Sequence, residues 1–427
     1  MEIRPFRGWR YTEQAGDLSD LIAPPYDVLS AEQKQQLLDK SEKNIVAVDL
    51  PVVPAKTAGP DEVYQAAADM LARWKDSGAM SQEDAPAIYV YHQTYTWAGK
   101  TYTREALLTG VRATELGEDV IPHEHTFSGP KEDRLKLTRA TDTQLSPIFG
   151  FYSDPSGDVR GVLKQATEST PAAEAEMNGV KEQLWVVSDA ETIGKISGLL
   201  KDTPAYIADG HHRYTTAMNY AKSLREAGQI DADHETNFVM FALVAREDEG
   251  LLVLPTHRVV GGLAEDFCLC RLREKLGDAV EIQRVEDDDI DLTDADRFLE
   301  TFGPHVLAIA YGDDLFTCKL IDPDAMKQLA PEQCDAWRDL DVAILHELIM
   351  NRGLAGLTTE NMTVDYTPDG QAARDAVRSG QAEIAFILQH TPVPAVQDVA
   401  DAGESMPHKS TYFYPKLATG MVLKPLN

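Results

Sequence analysis

Cysteine is scarce in this 427-residue chain, with Cys268, Cys270, Cys318 and Cys334 the only four. No C-x-x-C pair occurs, and Cys268-x-Cys270 is too short for the usual zinc knuckle. The four read as reduced, mostly structural thiols. Long apolar runs are missing too, which excludes a transmembrane helix. Met1 to Arg10 carries charges and aromatics where a signal peptide would have an apolar core. These absences lead us to expect a soluble, cytoplasmic protein with no membrane partner. Basic residues are outnumbered: 40 Lys and Arg against 70 Asp and Glu leave a formal charge of −30. Such a balance argues against a nucleic-acid-coating surface, which needs a net basic face. A local basic pocket inside an acidic shell stays compatible with it.

What is present is ordinary globular composition, and the length suggests two or three domains. Ser30-Ala-Glu-Gln33 has capping-box spacing and predicts a helix start. Ile45 to Leu50 reads as a strand. Residues 61–77 show 3.6-residue apolar periodicity. A hairpin is expected from Ala87–His92 and Lys100–Arg104 around Ala98-Gly99, followed by a third strand at Ala106–Val111. Ala205–Ala208 is a short apolar strand with a long helix behind it, and Phe238–Val244 with Leu251–Leu254 suggests another hairpin. Beyond about residue 262 helices and strands alternate. The reading is an α+β fold: a mixed-sheet domain over 1–262 and a second α+β domain over 263–427, whose C-terminal tail can return to the site. The acidic run Glu286 to Asp296 reads as a solvated loop and helix start.

Five segments could carry chemistry. In Ala205-Tyr-Ile-Ala-Asp-Gly-His-His-Arg-Tyr214 a buried strand ends at Asp209-Gly210 and a helix begins at once. Gly210 permits a backbone conformation that a side chain would block. A helix start offers free N–H groups to an anion. Cations at His211, His212 and Arg213 oppose the helix dipole, so stability alone would not select them, whereas a bound phosphate would. In Pro122-His-Glu-His-Thr126, His123 and His125 share one face of an extended chain. That pattern suits either zinc with Glu124 as base, or a phosphate pocket with Lys131 and Arg134. Pro255-Thr-His-Arg258 puts His257 and Arg258 at a strand end. Lys409-Ser-Thr-Tyr-Phe-Tyr-Pro-Lys416 adds Lys409 and Lys416, but no G-x-x-x-x-G precedes it, so it is not a P-loop. Ala23-Pro-Pro-Tyr-Asp27 stiffens the chain and aims Tyr26 and Asp27.

Together these segments, with Arg4-Pro-Phe-Arg-Gly8, resemble the bacterial and archaeal domain-of-unknown-function 1015 family over residues 3 to 423. More narrowly, Asp209-Gly-His-His-Arg213 is similar to the phosphate-binding motif of the ParB/sulfiredoxin-like superfamily, which includes free serine kinases. The resemblance implies a ParB/sulfiredoxin-like strand-turn-helix motif, with Asp209, Gly210, His212 and Arg213 as nucleotide contacts. It also implies a glutamate base that deprotonates an acceptor hydroxyl, and Glu124 is the position matched by its chemical company.

Three readings follow. The first is a nucleotide-dependent phosphotransferase, a small-molecule kinase that uses ATP or ADP with Mg²⁺. Its acceptor is a metabolite hydroxyl, and free serine is the one the resemblance implies. It assigns Glu124, His123 and Asp209 to catalysis. Gly210, His211, His212, Arg213, Lys131, Arg134, His257, Arg258 and Lys409 contact the nucleotide. The second is a metal-dependent phosphoester hydrolase with His123, His125 and His211 or His212 as ligands. The third is a non-catalytic nucleotide-sensing module. The first two site segments and those at 24–27 and 256–258 are expected to share one pocket.

Overall fold

A computed structural model describes residues 1–124, 129–286 and 290–427, with the backbone alone for 129–131. Among the described residues no helix is long and apolar enough to cross a membrane. The chain divides into two units, residues 1–252 with 415–427, and residues 253–414. Both are α+β, so the mixed-sheet class read from the sequence holds.

The first unit is built on a nine-stranded mixed sheet. Its strands run in the order 120–121, 205–209, 148–152, 238–245, 100–112, 88–97, 180–187 and 173–177, with 3–4 added beside 100–112. Strand 238–245 pairs parallel to 148–152 and antiparallel to 100–112. All eight of its residues are buried, which explains its unbroken apolar sequence. The helix His211–Glu226 puts Tyr214, Met218 and Ala221 on one stripe, and all three are buried. Tyr214 and Met218 join the main core, with Ile207, Phe241 and Leu243. A second apolar cluster gathers Leu21, Tyr26, Val46, Tyr64, Leu71, Trp74 and Leu137.

The second unit carries a six-stranded antiparallel sheet in the order 280–284, 314–320, 306–311, 384–387, 257–263 and 358–367. Helix Gly370–Arg378 lays Ala373 and Val377 on a core with Leu299, Ala308 and Ile387. Part of the acidic run, residues 287–289, lies outside the described residues.

Several local expectations are met. Ser30 forms its capping box with Gln33, and helix Asp61–Asp76 buries Tyr64, Ala67, Leu71 and Trp74. Others need correction. Val46–Asp49 is a helical turn, because the Asn44 side chain accepts the Val46 N–H and donates to the carbonyls of Asp20 and Ile22. That local cap outweighs the β-preference of the valines. The two strands expected at 100–104 and 106–111 are one, Lys100–Arg112. Strand 238–245 takes its partners from 100–112 and 148–152, and not from the following segment as a hairpin would. Cys268 and Cys270 are joined by a disulfide, while Cys318 and Cys334 are free. The short spacing that excludes a zinc knuckle does not keep neighbouring thiols apart.

A buried polar network fixes the returning C-terminal segment of the first unit. Tyr91 and Gln93 on one strand, Arg104 on the next and Glu182 on a third are each at most 1% exposed. The Tyr91 hydroxyl and the Gln93 amide donate to Glu182, and Arg104 donates to the Gln93 carbonyl oxygen. The same side chains then reach the backbone around Lys416. Arg104 donates to the Pro415 carbonyl at 2.6 Å, and Gln93 to the Lys416 carbonyl at 3.1 Å. The Ala418 N–H donates to the Tyr91 hydroxyl at 3.3 Å. Leaving any of these groups unpaired in the core would cost about 1–3 kcal/mol.

Burial pushes the Glu182 carboxyl up to about 7, against the opposing pull of Tyr91, Gln93 and Arg104. An acid raised on folding keeps its proton in the folded state after the unfolded chain has lost it. Its contribution is therefore neutral below the ordinary carboxyl value, and it destabilises progressively as pH rises towards 7. We expect the stability difference between the wild type and Glu182→Gln to shift by about 3 kcal/mol between pH 4 and pH 8, in favour of the variant at the higher pH. Urea unfolding at the two pH values checks this, and a pH-independent difference would show that Glu182 does not titrate there.

Candidate active site

The strand Ala205–Asp209 carries a register irregularity between Ile207 and Asp209 against its neighbour 148–152. Such a bulge re-aims the side chain that follows it. Gly210 then takes φ +98°, and the helix starts at His211 with no side chain capping it. A Cβ at Gly210 would stand 3.0 Å from the Arg213 guanidinium, so both the conformation and the space require glycine. The turn is thus an open helix start with a cation folded back beside it.

Asp209 is the centre of the arrangement. Its Oδ2 accepts from Arg213 Nη2 at 2.8 Å, and its Oδ1 from Lys416 Nζ at 2.6 Å. Burial alone would raise its pKa. Lys416 and Arg213 outweigh that effect and hold the carboxylate well below its usual range. Arg213 is anchored further by donating to Ser146 Oγ at 3.2 Å and to the Pro147 carbonyl at 2.5 Å. One carboxylate therefore holds two cations side by side at the mouth of the helix start, leaving one net positive charge there.

Behind the turn two histidines meet edge to face, with ring centroids 4.7 Å apart. His123 Nδ1 lies 2.8 Å from the Ile207 carbonyl, which places its proton on that nitrogen. The backbone N–H of His123 donates to His211 Nε2 at 3.3 Å, so the His211 proton sits on Nδ1. That nitrogen is 3.8 Å from Glu124 Oε2. Burial lowers the pKa of both rings, and their mutual proximity lowers that of His211 further, so both are neutral at pH 7. Glu124 is one-third exposed and borders this buried pair. His212, partly buried, occupies the first turn of the helix.

The structure brings together His123, Glu124, Asp209, Gly210, His211, His212 and Arg213, all in the first unit. Arg134 is a correction. Its guanidinium is buried, bonded to Asp49 and Asp133 and stacked 3.8 Å from the Tyr26 ring. Two carboxylates already balance its charge, so it braces the 24–27 turn and is not open to a phosphate. Arg134 and Arg213 line a common half-open pocket with Asp49, Gln144 and Ser146. His125 and the Lys131 side chain lie outside the described residues.

His257, Arg258 and Lys409 belong to the second unit. His257 is fully buried and accepts the Leu388 N–H at Nδ1, and burial pulls its pKa down to about 4. Arg258 is buried and donates to the carbonyls of Thr256, His408 and Lys409. It thereby holds the 408–409 turn, where Lys409 has φ +59°. Two of the three are thus joined, through backbone rather than through a shared ligand.

Among the described residues no three His, Cys, Asp or Glu side chains cluster to hold a metal ion. His123 and His211 each have a ring nitrogen engaged by backbone. The partnership of Lys416 with Asp209 was not legible in the sequence, although the charge of Lys416 was noted. The Gln93–Arg104–Glu182 support left no sequence signal beyond polar residues in otherwise apolar strands.

The comparisons can be set beside this geometry. A family model described as "Protein of unknown function (DUF1015)" matches residues 3–343. No curated protein matches the chain. Among solved structures the chain is similar to a mutant free serine kinase in complex with AMP, at 12% identity and TM-score 0.36, over 74% of this chain and 92% of that one. It is also similar to a conserved hypothetical protein from Pyrococcus furiosus, at 14% identity and TM-score 0.33, over 74% and 95%. SbnI with a C-terminal truncation, from Staphylococcus aureus, matches at 12% identity and TM-score 0.34, over 75% and 87%.

Lys416→Met removes one of the two cations on Asp209. We expect a loss of about 1.5–3 kcal/mol at pH 7, the usual value of a charged hydrogen bond. Asp209 is depressed on folding, so its contribution is present above the ordinary aspartate value and is lost as pH falls through the lower folded value. The deficit should shrink below about pH 4. Denaturant titrations at pH 7 and in acid measure it, and equal stability at pH 7 would remove the pair as a stabilising contact.

Proposed function

This chain belongs to the DUF1015 family, and we propose that it is a nucleotide-dependent phosphotransferase acting on the hydroxyl of a small metabolite. The observation that carries the reading is the convergence of Arg213 and Lys416 on Asp209 at an uncapped helix start, with Glu124 facing His211 beside it. The residues fit a phosphate group, because Gly210, at positive φ, starts the helix with no side chain capping its first N–H groups. The N–H groups of the first turn are the natural anion donors. His212 and Lys416 add hydrogen-bond donors at the rim, and Asp209 holds Arg213 and Lys416 on its two oxygens. Mg²⁺ is usually held by one or two carboxylates together with phosphate oxygens; both Asp209 oxygens are taken by Arg213 and Lys416 and Glu124 is the base, so the ion would be held chiefly by phosphate oxygens and water.

ATP or ADP supplies the transferable phosphoryl group. The chain's own work is positioning and charge neutralisation. Glu124 Oε2 takes the proton of the acceptor hydroxyl. The neutral His211 has its Nδ1–H on the side of that carboxylate, 3.8 Å from Oε2 and so beyond a direct hydrogen bond, and adds no charge beside it. Free serine, with a primary hydroxyl, is the acceptor we propose to test first.

The test separates binding from transfer. Glu124→Gln should preserve nucleotide affinity in calorimetry and lower phosphoryl transfer by about 10²–10⁴-fold, the usual span for one acid–base group. Gly210→Ala, strained in backbone and crowded by Arg213, should lose nucleotide binding while keeping the fold by circular dichroism. Unchanged turnover in Glu124→Gln would remove the base role. Nucleotide binding without transfer to any hydroxyl acceptor would make the protein a sensor and not a kinase.

A further inference from the structure

The Cys268–Cys270 bond takes no part in the site described above. It lies at the start of helix Leu269–Leu276 in the second unit, where Cys268 is the N-cap residue. The Arg271 N–H points at Cys268 Sγ, 3.4 Å away. Cys270 is exposed and Cys268 partly so. The bond spans a single intervening residue, and a cross-link stabilises least when the loop it closes is shortest. The helix is already held by Leu272 and Leu276, both fully buried and tight against Gly353. A structural staple is therefore not what this bond supplies. The other thiols differ: burial pushes Cys318 up to about 12, which keeps it an unreactive thiol, and Cys334 caps a separate short helix through the Trp337 N–H.

We propose that Cys268 and Cys270 form a reversible thiol–disulfide exchange site whose co-reactant is a small-molecule disulfide of the glutathione class. Exposure decides the order of events. The Cys270 thiolate attacks the small disulfide, forming a Cys270–S–S–R bond and releasing one RS⁻. The Cys268 thiolate then attacks Cys270 Sγ, closing the protein disulfide and releasing the second RS⁻. Two thiol protons leave, and the two electrons pass to the small disulfide, which becomes two thiols. Cys268 is suited to the second step because a helix N-cap favours its thiolate through the Arg271 N–H and the helix dipole. The Arg271 side chain adds a cation there, although Asp266 pairs with it and Glu265 is the other acid nearby in sequence. Reduction reverses both steps.

The full chain is equilibrated with glutathione at a series of reduced-to-oxidised ratios, trapped by alkylation, and read by mass spectrometry on the peptide holding both cysteines. We expect a reversible two-electron transition confined to that peptide, with Cys318 unchanged throughout. Cys268→Ser should accumulate a stable glutathione adduct on Cys270, because nothing resolves it. Cys270→Ser should form far less adduct on Cys268. A pair that stays oxidised at every ratio, or never oxidises, overturns the proposal, and so does the absence of the adduct in Cys268→Ser. The wild-type titration stands even if a variant misfolds, and none of these outcomes bears on the phosphotransferase reading.

Discussion

One carboxylate shared by two cations organises the first unit. Asp209 ends a core strand, Arg213 stands one helical turn further on, and Lys416 comes from the last residues of the chain. Removing Asp209 would leave two partly buried cations without this carboxylate, whereas removing one cation leaves Asp209 the other. The strand end, the helix start and the C-terminal segment are therefore held in one arrangement. The trio carries one net positive charge at the helix start, in a chain of formal charge −30.

That contact depends on a support within the sheet. Lys416 could sweep a wide volume if its backbone were free. The Arg104, Gln93 and Tyr91 side chains fix the backbone at residues 415, 416 and 418, and Glu182 fixes two of those three in turn. A network of this kind tolerates no missing member, because each buried donor or acceptor has few alternatives. The histidine pair is organised in the same way. The backbone of Ile207 sets the tautomer of His123, and the backbone of His123 sets that of His211. Glu124 thus lies 3.8 Å from a neutral ring N–H rather than from an imidazolium.

The second unit uses comparable residue types for a different end. Arg258 is buried against carbonyl oxygens rather than carboxylates, and burial pulls its pKa down to about 10. It holds the 408–409 turn through backbone carbonyls, whereas Arg134 meets the 24–27 turn of the first unit through the Tyr26 ring. Motif residues that look alike in sequence thus include several whose charge is spent inside the fold.

The sequence by itself determined the local elements and one unusual helix start. Apolar periodicity gave the helix at 61–76, and Ser30 and Gln33 gave a cap, because these depend on residues within a few positions of each other. Asp209-Gly210 followed by His-His-Arg marked the helix start, since glycine and misplaced cations there are costly without a reason. Tertiary structure decided everything that rests on distant pairing. It turned Val46–Asp49 into a helical turn through Asn44, placed strand 238–245 between two strands far from it in sequence, and committed Arg134 to Asp49 and Asp133. It also brought Lys416 to Asp209 across 207 residues. An isolated lysine and an isolated arginine look equally available in a sequence. Which one stays open is set by the carboxylates that folding brings within about 3 Å, and that proximity is a property of the packed core alone.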